Sequence, residues 1–114
     1  MFGNLITEAL NKGIQMILQH YVKPYGEITS LSIDDSIKEI KATLLLRGEL
    51  QTLDIHIFGY NFVKIEDKGY LTFLNITTSR DWINTLLKKV PIKEIDEKRI
   101  EIPQAAVVIL KILF

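Results

Sequence analysis

No cysteine occurs among the 114 residues. That excludes disulfide bridges, thiolate zinc sites and thiol nucleophiles together, and it fits a reducing compartment. Charge of one sign is missing too, because fourteen lysines and arginines offset fourteen aspartates and glutamates for a formal net charge of zero. A neutral chain generates no long-range field to draw in nucleic acid or an anionic membrane, so nucleic acid is not an expected partner. Long hydrophobic runs are also absent. No span approaches the ~20 apolar residues of a transmembrane helix. Near the amino end Glu8 and Lys12 interrupt the apolar residues, no basic stretch precedes them and no small-residue cleavage site follows, so the expected location is cytoplasmic. Gly48, Gly59 and Gly69 are too scattered for a phosphate loop, and no Gly-x-Gly-x-x-Gly or Walker pattern is present.

What remains is an ordinary globular composition, 47% apolar and 25% charged, expected to fold as a single domain over residues 1–114. The first segment reads as a long amphipathic helix: Phe2, Leu5, Ile6, Ala9, Leu10, Ile14, Ile17, Leu18 and Tyr21 recur at three-and-four spacing. Gly13 falls on that same face, where its use is to let another element approach closely. Lys23, Pro24, Tyr25 and Gly26 supply the stop.

From residue 27 to 78 the period changes from 3.6 to 2. Leu31 and Ile33 alternate before a turn at Asp34, Asp35 and Ser36. Ile40, Ala42, Leu44 and Leu46 then face one way while Lys41, Thr43 and Arg47 face the other. Gly48 and Glu49 suggest a turn, Leu53, Ile55 and Ile57 a third strand, and Gly59 a bulge or bend. A fourth strand is expected over residues 70–77 with both faces covered, since Leu71 and Phe73 share one parity and Leu74 and Ile76 the other. Short connections imply an antiparallel meander. Thr78 or Ser79 should cap a second helix with Trp82 as a core anchor, Asp81 in its first turn, and Lys88 and Lys89 in its last. Residues 91–102 read as a charged connector ending in a short strand near Ile100, and residues 103–114 as an apolar closing helix begun by Pro103.

The expected class is therefore α+β: a long N-terminal helix on a curved four-stranded antiparallel sheet, then a second helix and an apolar C-terminal one. This outline resembles cystatin-like and related helix-on-sheet folds in element order alone, which implies no function.

His20 and His56 are the only histidines. Asp54 shares a strand face with His56, so a carboxylate and an imidazole are placed to be neighbours, but no nucleophile or third ligand stands at a recognisable spacing. No enzyme activity, cofactor or metal is expected. The closing segment carries the functional expectation, because an apolar terminus needs cover from its own domain, a second copy, a partner or lipid. The expected surface joins Val108, Ile109, Ile112, Leu113 and Phe114 to the aromatic end of the sheet at Phe58, Tyr60 and Phe62. The expected function is a non-enzymatic binding or assembly module, most simply a homodimer. The alternatives are a carrier of a lipid or other apolar small molecule between helix and sheet, and peripheral membrane association through the last helix, with Lys88, Lys89, Lys93, Lys98 and Arg99 near headgroups.

Overall fold

The computed structural model describes residues 2–89, 94 and 97–110, with side chains from residue 7 onward. Helix α1 (Phe2–Val22) is followed by strands β1 (Gly26–Asp34), β2 (Glu39–Leu46), β3 (Leu53–Phe58), β4 (Asn61–Ile65), β5 (Lys68–Thr72) and β6 (Asn75–Thr78). Helix α2 (Asp81–Lys89), strand β7 (Arg99–Glu101) and helix α3 (Gln104–Leu110) follow among the described residues. The class is α+β. One antiparallel sheet has the order β1-β2-β3-β6 and a second the order β4-β5-β7.

The period-2 pattern of β2 and β3 puts Ile40, Ala42, Leu44, Leu53 and Ile57 in the core. Across from them α1 presents Leu10, Ile14, Ile17 and Leu18, all buried. These side chains fill the space between helix and sheet, and each fully buried one contributes ~1.5 to 3 kcal/mol of gross apolar burial.

The expected fourth strand divides. Leu71 pairs within the second sheet, Ile76 pairs with Ile57 in the first, and the chain crosses between them at Phe73 and Leu74. Leu71 and Phe73 are buried, but Leu74 is 73% exposed, which corrects the expectation that both faces are covered. The physical reason is the crossing itself. Leu74 sits on Gly59, where a β-carbon would overlap its isobutyl group, and Gly59 makes the expected bend at φ +65°. The turn between β4 and β5 falls at Glu66 and Asp67, with Glu66 at φ 57° and Gly69 inside β5.

Within the expected connector, Arg99–Glu101 forms an edge strand on β5, and Ile102 is buried with its N–H donating to Gly69 O. Residues 91–93, 95 and 96 lie outside the described residues. Pro103 O accepts from the Ala106 and Val107 N–H groups and so starts α3. Ala106 and Leu110 are wholly buried, and a β-carbon at Gly13 would overlap the Leu110 side chain. The close approach expected at Gly13 is thus made by α3 against α1, and part of the closing segment is covered by its own fold.

Helix α2 begins one residue later than the expected caps. Arg80 O accepts the first helical N–H bonds, while Thr78 Oγ1 accepts from Arg80 N–H. None of the helix's nine residues is buried. Trp82 is 64% exposed and is no core anchor: Ile83 and Leu87 are half-buried, and Trp82 and Leu86 occupy the other edge of the apolar arc.

Candidate functional site

Register arranges the outer face of the four-stranded sheet into rows. Ser32, Lys41, His56 and Thr77 form one row from β1 to β6. Ser30, Thr43 and Asp54 form the next, extended by Ser79, whose N–H donates to Asp54 O at 2.9 Å. Together they line a shallow polar groove of about 410 Å³. Alternation supplies them, and Lys41, Thr43, Asp54 and His56 each adjoin a buried residue in sequence.

The two residues singled out in the sequence, Asp54 and His56, share this face without pairing to each other. His56 Nε2 lies 2.6 Å from Glu39 Oε1, and its ring stacks on Phe58 with centroids 3.8 Å apart. Thr43 Oγ1 donates to Asp54 at 2.9 Å, while the Asp54 N–H donates to Ser79 Oγ at 3.0 Å. Glu39 thus orients an imidazole, yet among the described residues His56 makes no hydrogen bond to a serine or threonine hydroxyl that it could activate. His20 is exposed on α1 and meets Tyr21 edge-on. No group of three or more potential metal ligands occurs among the described residues. Lys41 stands in the groove with no ion pair among the described residues. The face can bind through hydroxyls, one ammonium and two carboxylates, but the arrangement aims no nucleophile.

A second electrostatic cluster closes the β1–β2 turn. Lys38 Nζ and Tyr60 Oη both donate to Asp35 Oδ1, at 2.7 and 2.6 Å. These hydrogen bonds hold the Asp35 carboxyl below the usual carboxylate range, while burial and then Asp35 itself push the Tyr60 phenol well above its ordinary value.

The residues of the expected apolar surface differ in burial. Tyr60 is 1% exposed and belongs to the core, because its ring is enclosed while its hydroxyl reaches Asp35; it is removed from the surface. Phe58 and Phe62 are half-buried, the latter edge-on to Tyr60. Val108 is 66% exposed and Ile109 half-buried. Ile112, Leu113 and Phe114 lie outside the described residues.

Other exposed apolar side chains stand along one end of the sheet, with Tyr25 at its β1 edge and α2 at its β6 edge. Register places Tyr25, the 47–51 loop and the start of α2 at this same end. Arg80 ties the parts together, reaching Gln51 O at 3.5 Å and Glu49 at 3.9 Å. Tyr25, Leu50, Trp82 and Leu86 are all exposed there, Leu50 almost completely. Sequence reasoning missed this surface because Trp82 and Leu86 belong to an apolar stripe that looks identical whether covered or bare.

No helix among the described residues is long and apolar enough to cross a membrane. No family model matches the chain, and neither a curated protein nor a solved structure shows detectable similarity to it.

Proposed function

We propose that this chain is a non-enzymatic assembly module that self-associates, most simply as a homodimer, through the apolar end where α2 presents Trp82 and Leu86. One observation carries the reading: a strongly amphipathic helix leaves every one of its residues unburied, and its tryptophan is 64% exposed. A helix with so segregated a surface ordinarily covers its apolar stripe. Charge favours a second copy as the cover. Asp81 occupies the first turn and Lys88 and Lys89 the last, so two α2 helices packed antiparallel about a two-fold axis bring acid beside base at both ends.

The carrier reading has less support, since Ile14, Ile17, Ile40 and Ile57 fill the space between α1 and the sheet. Membrane attachment draws on the same Trp82, Leu86 and lysines, and the experiment separates the two. Light scattering across micromolar to submillimolar protein should give a dimer mass for the wild type and a monomer mass for Trp82→Ser and Leu86→Ser. A monomer at every concentration overturns self-association, and a monomer that co-sediments with anionic vesicles replaces it with a membrane role.

A further inference from the structure

We infer that the free edge of β1 is a docking site for an extended segment of another protein, added as a fifth strand in the groove between β1 and α1 and carrying basic residues at its ends. This surface is separate from the α2 end and does not depend on it.

The ladder fixes which backbone groups are free. Arg47 N–H donates to Tyr25 O, which sets the phase of the β1–β2 pairing, and the strand has a bulge between Ile28 and Ser30. At the bulge Thr29 Oγ1 also donates to Thr43 O, so Thr43 turns toward β1. Antiparallel alternation then turns Ser30, Ser32 and Asp34 toward β2 and leaves the N–H and C=O groups of Leu31 and Ile33 pointing away from it. No hydrogen bond to those groups from outside the ladder occurs among the described residues.

The opposite edge of the same sheet is treated differently. On β6 the outward Thr78 N–H donates to Asn84 Oδ1 at 2.7 Å, and Asn84 Nδ2 donates back to Thr78 O at 3.0 Å. The Ile76 N–H is taken by Asn75 Oδ1 at 2.9 Å. One side-chain amide of α2 therefore imitates a neighbouring strand and closes that edge. Among the described residues the β1 edge has no such cap, and Ile28 to Ile33 contains no charge and no proline, the usual guards of an exposed strand.

Beside this edge lies a groove of about 460 Å³ lined by Ile28 to Ile33 and by Asn11 and Gln15 of α1. Both amides can donate and accept, which suits a peptide backbone. Glu27 and Asp34 flank the uncharged stretch, and α1 adds Glu8 and Lys12, one charge of each sign. A second copy is a poor occupant, because antiparallel pairing of β1 with itself sets the Glu27 end against the Asp34 end of its partner, acid on acid, Asp35 being already paired with Lys38. A heterologous strand with lysine or arginine at both ends satisfies the same positions.

The test uses the full chain and a short synthetic peptide that alternates valine and threonine between terminal lysines. Residue-resolved amide exchange should show Leu31 and Ile33 slowed when the peptide is added, with Thr78 unchanged. A peptide with glutamates at its ends should bind about fivefold more weakly, the effect of two small charge pairs, and backbone N-methylation at alternate residues should abolish binding. No protection at Leu31 and Ile33, or equal affinity of the N-methylated peptide, overturns the inference. Repeating the titration on Trp82→Ser keeps this result distinguishable from failure of the dimer reading, because that substitution should leave peptide protection intact.

Discussion

Replacing Gly13 by alanine sets two effects of similar size against each other. Alanine in a helix interior is favoured over glycine by ~1 kcal/mol. In this fold, however, the added carbon meets Leu110 of α3 well inside contact distance. Overpacking of a tight contact costs ~1 to 3 kcal/mol, so Gly13→Ala should leave stability unchanged or lower it by up to ~2 kcal/mol, the difference of the two. Leu110→Ala alone should cost ~2 to 5 kcal/mol, since Leu110 is fully buried. In that background the obstacle is gone and Gly13→Ala should stabilise by ~1 kcal/mol. Urea denaturation of the four chains measures the cycle, provided that the slopes agree. Equal stabilisation by Gly13→Ala with and without Leu110 would refute the packing of α3 on α1.

Two further predictions concern the turns. Burial and the neighbouring carboxylate raise the Tyr60 pKa above its unfolded value of ~10. Its contribution is therefore complete below that value and lost as pH rises through the folded pKa, so the melting-temperature gap between wild type and Tyr60→Phe should hold near neutrality and shrink in strong alkali. A gap independent of alkaline pH would contradict the Tyr60–Asp35 bond. Asp35 has the opposite sign: its lowered pKa makes its contribution present above the unfolded value of ~3.9 and lost as pH falls below it. At the β4–β5 turn Glu66 is exposed at φ 57°. Glu66→Gly should raise stability by up to ~1 kcal/mol, the relief of one left-handed residue. Thermal melts would show it, and a lowered midpoint would argue against that conformation.

Elements with unbroken periodicity were readable from the residues. The three-and-four spacing of α1 and the alternation through β2 and β3 match the observed core at Leu10, Ile14, Ile17, Ile40, Ala42 and Leu44. The break between β5 and β6 was not, because Phe73 and Leu74 carry no glycine or proline and the alternation runs on in sequence while the chain changes sheets. Gly59 gave the only local hint, being shaped to receive Leu74. Periodicity identifies an apolar face but says nothing of what covers it, which is why Trp82 reads as core and is exposed, while the closing segment, whose cover the sequence leaves open, buries Ala106 and Leu110. The polar rows on the outer sheet depend on register between distant residues. No local spacing encodes them.

Trp82 is the single tryptophan of the chain, so its fluorescence reports the proposed contact directly. Serial dilution of the wild-type protein should move the emission from the blue-shifted maximum of a covered indole toward that of a solvated one, following the mass measured at each concentration. A solvated spectrum that is the same at every concentration would contradict self-association through α2.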